Sequence, residues 1–124
     1  MNCIFCEFRN DKDRVVLEND LAYTIFDGFP VNKGHMLVIP KRHAETYFDL
    51  TKDEVSSMQE LALKAKEMID EKYHPDGYNV GFNCGEYAGQ TVFHCHMHII
   101  PRYKGDIDNP RGGVRNIIKG DSKY

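Results

Sequence analysis

Three histidines stand at alternate positions in Phe93-His94-Cys95-His96-Met97-His98-Ile99-Ile100-Pro101. In an extended strand, side chains at i, i+2 and i+4 leave the backbone on one face. His94, His96 and His98 are therefore expected to project together, with Phe93, Cys95, Met97 and Ile99 on the opposite side. The apolar side suits a core. Adjacent imidazoles titrate near neutrality, and their face suits either of two chemistries. In one, a neutral imidazole attacks an electrophile such as phosphorus while its neighbours hold charge and deliver protons. In the other, two or three imidazoles bind a metal that activates water. The spacing is compatible with both.

The segment before the histidines, Asn83-Cys84-Gly85-Glu86-Tyr87-Ala88-Gly89-Gln90-Thr91, adds to this chemistry. Its glycines let the backbone come close to an anion, and Gln90 and Thr91 bring amide and hydroxyl donors. Placed directly before the triad, it reads as a phosphate cradle beside a nucleophile. Cys3 and Cys6 form a C-x-x-C pair with metal-knuckle spacing, but supply two ligands where four are needed. Cys84 and Cys95 lie in apolar contexts and read as buried thiols.

Composition limits the function classes. The chain has 124 residues, 41% hydrophobic and 28% charged, with a formal net charge of −3. That is the profile of one globular domain. The negative balance argues against nucleic acid as a partner, since phosphate backbones select a surplus of Lys and Arg. The N-terminal residues lack the apolar core of a signal peptide, and no run approaches the roughly 20 residues of a membrane span. A cytoplasmic protein with no membrane partner is expected, and in that compartment cysteines serve as ligands or thiols rather than disulfides.

The elements that must hold these groups can also be read. Arg14–Glu18 and Leu21–Asp27 are rich in β-branched and aromatic residues, and Asn19-Asp20 between them is turn chemistry, so a hairpin is expected. His35–Ile39 is a short apolar strand ended by Pro40. Thr51-Lys52-Asp53-Glu54 has capping-box spacing. Val55, Met58, Leu61, Ala62, Ala65, Met68, Ile69 and Tyr73 then follow helical periodicity until Pro75-Asp76-Gly77. His74 sits where a cation favours the helix C-terminus. Tyr78–Phe82 is a fourth strand, and the triad strand runs from about Val92 to Arg102. The order is strand, strand, strand, helix, strand, strand. It predicts an α+β domain with a mostly antiparallel five-stranded sheet, one main helix on a face and a shorter helical segment.

Gly89-Gln90-Thr91-Val92-Phe93-His94-Cys95-His96-Met97-His98 resembles the signature of the histidine triad (HIT) nucleotide-binding family, and Gly34-His35-Met36-Leu37-Val38-Ile39-Pro40-Lys41-Arg42-His43 resembles its second recognisable stretch. The resemblance covers about residues 3 to 103. It implies a single HIT domain over 1–124, with a core to residue 103 and a tail over 104–124. It also implies a hydrolase or nucleotidyl transferase cleaving at the α-phosphate of purine nucleotides, either adenosine phosphoramidates or dinucleoside polyphosphates. His96 would be the nucleophile, His98 would contact phosphoryl oxygens, and His94 and His35 would order the network. Asp27 would bind the ribose hydroxyls, Leu21 and Phe26 would wall the base, and Asn83, Gly89, Gln90 and Thr91 would lie on the phosphate side. A bacterial branch of the family pairs C-x-x-C with two histidines, here Cys3 and Cys6 with His43 and His94, around a structural zinc ion. No cofactor would be required for the chemical step. Homodimers are implied, with Lys104, Arg111 and Arg115 of the tail placed to reach a polyphosphate. The alternative is a nucleotide-binding or sensing module with little turnover.

Overall fold

The computed structural model describes residues 2–118; the end of the expected tail, including Gly120, lies outside the described residues. Five strands form one antiparallel sheet in the order β1-β2-β3-β5-β4. They are β1 (Leu17–Glu18), β2 (Ala22–Phe26), β3 (Met36–Pro40), β4 (Gly77–Phe82) and β5 (Met97–Arg102). The main helix is α2 (Lys52–Tyr73), and a short helix α1 (Ile4–Phe8) lies at the N-terminus. The expected α+β architecture is therefore present, shorter helical segment included. No helix among the described residues is long and apolar enough to cross a membrane.

The strand expected over Leu21–Asp27 loses one residue at each end, and two other expected strands are shortened by more. The first is paired only at Leu17 and Glu18, because Arg14 and Val15 instead donate their amides back to Asp11 in a turn. The triad strand begins at Met97, not Val92. Cys95 donates its amide to the carbonyl of Ala44, and Val92 offers its carbonyl to the Gln90 side chain. Those contacts hold the approach to β5 off the sheet ladder, and Phe93, expected on the core side, is half exposed.

Alternation divides the sheet into two faces. Ala22, Met36, Val38, Met97 and Ile99 pack against Met58, Leu61, Ala65 and Ile69 of α2. Tyr23, Ile25, Leu37 and Ile39 face the other way and pack with Cys3 and Phe5 from the α1 region. One face is thus closed by a 22-residue helix, whereas a five-residue helix covers only part of the other. His98, Ile100 and Arg102 belong to this second face and are half-buried. Gly34 is required where the chain passes α2: its φ is +87°, and a Cβ there would lie 2.9 Å from the ring of Tyr73. His74 closes α2 in a left-handed conformation, its amide donating to Asp70.

The start of α2 is tied to the end of β3. Thr51 and Glu54 form the expected capping box. Glu54, only 4% exposed, also receives both arms of Arg42, at 2.9 and 2.8 Å. Arg42 immediately precedes His43, so this bidentate pair fixes the segment that carries a candidate ligand. The Arg42 guanidinium holds the Glu54 carboxyl below its ordinary value of 4.5. Its stabilisation is therefore complete above that value and is lost as pH falls through the lowered one. Glu54→Ala removes a cap bond and two charge-assisted bonds, and should cost about 2–3 kcal/mol in urea unfolding at pH 7. The cost should shrink as the pH is lowered below 4.5.

Candidate active site

His94, His96 and His98 project to the α1 side of the sheet. Phe5 meets the rings of both His94 and His96, and the His96 and His98 rings are 5.1 Å apart. β5 pairs Leu37 with His98, which brings the neighbouring residue His35 alongside. The His35 and His98 ring centroids are 5.2 Å apart. The site is thus two clusters that share one short segment, with His96 and His98 on one side and His94 on the other.

Hydrogen bonds assign the ring protons in the first cluster. His96 Nδ1 donates to the carbonyl of His94 at 2.9 Å, which leaves the Nε2 lone pair uncommitted. The amide of Val31 donates to His35 Nδ1 at 3.1 Å, so the His35 proton is on Nε2. That nitrogen lies 3.0 Å from His98 Nδ1 and 3.4 Å from Asp27 Oδ2. His98 Nδ1 is then an acceptor, and His98 must carry its own proton on Nε2. The bond to His94 leaves a lone pair on His96 Nε2, and the relay leaves a donor proton on His98 Nε2. Burial lowers the basicity of all three rings. For His98 burial, reinforced by the His96 and His35 rings, pushes the pKa down to about 4. Neutral imidazoles are what both roles require at neutral pH.

Asp27, His35 and His98 each bring one ligand atom to within 4.8 Å of the others. The Val31 amide, however, makes His35 Nε2 a proton donor toward that point. The arrangement favours a hydrogen-bond relay over cation binding.

The second cluster is different. Cys3, Cys6, His43 and His94 place four ligand atoms within 4.8 Å of one another, and these could hold a metal ion. His94 Nε2 donates to the carbonyl of Pro40 at 2.7 Å, so its Nδ1 lone pair faces the cluster. That nitrogen lies 3.3 and 3.5 Å from the sulfurs of Cys3 and Cys6, and 3.1 Å from His43 Nδ1. Cys6 sulfur lies 3.4 Å from His43 Nδ1. The edges of a tetrahedral site with two sulfur and two nitrogen ligands run to roughly 3.3–3.8 Å, so the donors are already close to that figure. A main-chain acceptor on the far nitrogen is also the usual way to orient a ligating histidine. Burial and the neighbouring Cys3 push the Cys6 thiol up, an opposition that a bound cation would reverse.

The remaining sequence-predicted residues divide by position. Asp27 gives one carboxylate oxygen to the Phe29 amide at 2.8 Å and turns the other toward His35. Gln90 is buried: its carbonyl accepts from Gly85, and its amide donates to the carbonyls of Glu45 and Val92. It therefore shapes the loop, with Gly85 and Gly89 in positive-φ conformations that suit glycine. Asn83 lines a cavity of about 600 Å³ together with His35 and His98. Thr91 opens instead onto the surface beside Cys3 and His43. Leu21 and Phe26 are each partly exposed on β2 or its approach. Of the tail cations, the amide of Lys104 donates to Asp76, Arg111 offers its carbonyl to Asn116, and Arg115 lies in a 3-10 turn over Gly113–Asn116. That turn helps wall the cavity.

Two contributors to the site were not apparent from the chain. Arg102 donates to Asn79 and to both oxygens of Asp106, and Asp106 in turn accepts from Asn32. This network fastens the start of the tail to β4, β5 and the loop before β3. The other is Phe5, which no polar chemistry marks. A pH effect follows from His98. Because its folded pKa lies near 4, below the ordinary 6.5, the unfolded chain binds more protons between those values. Stability should therefore fall as pH drops from 6.5 toward 4, and the urea midpoint of a His98→Asn variant should fall less over the same range.

The HIT domain profile matches residues 9–105. An uncharacterised 16.1 kDa HIT-like protein of Mycoplasma pneumoniae is 46% identical over 127 aligned positions, covering 98% of this chain and 83% of its own. A bis(5'-adenosyl)-triphosphatase of Dictyostelium discoideum is 36% identical over 98 residues, with coverage of 79% and 66%. A zinc-bound histidine triad family protein from Mycobacterium smegmatis superposes with a TM-score of 0.76 at 35% identity, covering 86% of this chain and 78% of that one. With the triad, the sheet and the histidine relay in place, the chain belongs to the HIT family.

Proposed function

We propose that the protein is a nucleotide hydrolase or nucleotidyl transferase that cleaves at the α-phosphorus of purine nucleotides through a covalent nucleotidyl-His96. The observation that carries this reading is the His96 Nδ1–H bond to the His94 carbonyl, which commits one ring nitrogen and leaves Nε2 as the nucleophile. In the first step, the Nε2 lone pair forms an N–P bond as the P–O or P–N bond to the leaving group breaks. The bonding pair departs with the leaving group, an amine taking up a proton as it leaves, and the water of the second step returns one to solvent. Water then attacks the same phosphorus, the N–P pair returns to Nε2, and a nucleoside monophosphate is released.

We assign each further group a part. The His98 Nε2–H is placed to meet charge on the phosphoryl oxygens, with His35 holding its tautomer. We assign Gly89 and Thr91 to the phosphate side by resemblance; the Gly89 and Gln90 amides themselves donate within the loop, to Glu86 and Gly85, and the Gln90 side chain maintains its shape. Asn83 borders the phosphate side. The Asp27 oxygen not bound to Phe29 would accept from the ribose hydroxyls, with Leu21 toward the base; Phe26, paired with Met36 on the α2 face, is on the wrong side of the sheet to wall it. His94 acts through its carbonyl, because both its ring nitrogens are engaged elsewhere. Adenosine phosphoramidates and dinucleoside polyphosphates are the substrate classes, and the second is favoured by the name of the Dictyostelium relative. We take the chain to act as a cytoplasmic homodimer, with Lys104, Arg111 and Arg115 toward a polyphosphate leaving group.

Zinc is the metal that suits Cys3, Cys6, His43 and His94, since two thiolates and two imidazoles make a closed tetrahedral set. Such an ion supplies structure: it would pin α1 to the sheet. It has no part in the bond-making steps. Protein purified without chelator should carry about one zinc per chain by elemental analysis, and Cys3→Ser with Cys6→Ser should remove nearly all of it. Zinc retained in full by the double variant would refute the ligand set.

For the reaction itself, His96→Ala should reduce turnover of diadenosine triphosphate by about four orders of magnitude or more while AMP binding changes only a few-fold. Asp27→Ala should instead raise KM about tenfold through loss of the ribose contact. Turnover surviving His96→Ala would exclude the covalent route. AMP binding without any turnover in the unvaried chain would favour a sensing module.

A further inference from the structure

Phe5 has no polar atom in its side chain and no place in the steps above, yet it is only 6% exposed and lies against the nucleophile. Its ring centroid is 5.0 Å from that of His96 at an interplanar angle of 73°, and 5.9 Å from that of His94 at 86°. The His96 ring is buried and also meets the His98 ring, 5.1 Å away. The bond from Nδ1 to the His94 carbonyl fixes one nitrogen, and it is this bond that a swing of the ring about the Cβ–Cγ axis would break. A second ring packed across it closes off that motion.

Phe5 is itself unusually well anchored. Cys3 and Cys6, both members of the four-donor cluster, flank it in the chain. The Tyr23 hydroxyl donates to its backbone carbonyl, and the Phe8 ring packs 6.1 Å away. The five residues of α1 would make a marginal helix alone. Here they are held at both the cluster and the sheet, and what they present to the active site is this one ring. We propose that Phe5 is a positioning residue that holds the His96 imidazole in its attacking orientation, so that α1 with its cysteine cluster serves the reaction through packing. This rests on the nucleotidyl-His96 reading. It assigns α1 a task beyond closing the fold. The ring acts on orientation and not on substrate binding, so its loss should appear in kcat and leave KM alone.

The test combines kinetics with the ring nitrogen spectrum of His96. Phe5→Leu should lower kcat for diadenosine triphosphate by about ten- to a hundredfold, with KM and AMP affinity within about twofold and metal content equal to that of the unvaried chain. In ¹⁵N spectra, the unvaried protein should show His96 as a single Nδ1–H tautomer, and Phe5→Leu should shift it toward a tautomer mixture. Phe5→Met, which fills the space without a ring, should behave like Phe5→Leu. An unchanged kcat would overturn the proposal, as would kcat falling together with AMP affinity and metal content. A tautomer mixture at His96 in the unvaried chain would overturn it with no variant at all. If the unvaried chain turns over no nucleotide, it is the covalent reading that fails, and the spectra of the variants still decide whether Phe5 orients the ring.

Discussion

The hydrogen bond from His96 Nδ1 to the carbonyl of His94 is the constraint on which the site depends. An imidazole is an attacking group only through a nitrogen that bears a lone pair, and a neutral ring has two tautomers to choose between. The main-chain acceptor two residues earlier makes the choice. It does so without a second side chain and without charge, so the ring remains neutral in a buried setting that would penalise an imidazolium. A carboxylate in that place would orient the ring equally well but would raise its basicity.

That bond makes the path of the chain at His94 part of the chemistry. Four contacts keep it there: the His94 ring to the Pro40 carbonyl, the ring to the cysteine cluster, the Cys95 amide to Ala44, and the Gln90 side chain to Val92. Pro40 and Ala44 lie at or just past the end of β3, Gln90 and Val92 in the loop before the triad, and Cys3 and Cys6 at α1. Arg42 and Glu54 extend the same restraint to the first turn of α2. The four-donor cluster and the proposed reaction site are therefore one mechanical unit, although they share no atom that the proposed steps use. His94 belongs to both, its ring to the cluster and its carbonyl to His96.

Much of this was legible in the chain because it is local. The capping residues Thr51 and Glu54 lie three apart, the α2 stripe repeats at helical spacing, and the triad alternates at strand spacing. The four cluster residues were found through family resemblance, since Cys3 and Cys6 alone supply only half of a ligand set. What escaped is non-local. Arg42 and Glu54 meet across 12 positions, Asn32 and Asp106 across 74, and neither pair has a periodic pattern to announce it. The late start of β5 escaped because alternation continues through residues 92–96 while the hydrogen bonds there go to Ala44 and Gln90. Gln90 was expected to face phosphate. An amide side chain in a glycine loop serves the loop or a ligand equally well, and only its buried partners show that it ties Gly85 and Val92 to the carbonyl of Glu45.

The measurement that bears most directly on the central claim is a rapid acid- or heat-quenched single turnover with excess enzyme and radiolabelled diadenosine triphosphate, followed by peptide mapping. The account predicts a transient adenylyl group on the peptide holding residues 94–98, attached to His96 through Nε2. It should form no more slowly than AMP appears and decay as water replaces it. Label on His94 or His98, or full conversion to AMP with no protein-bound label at any time, would contradict the account.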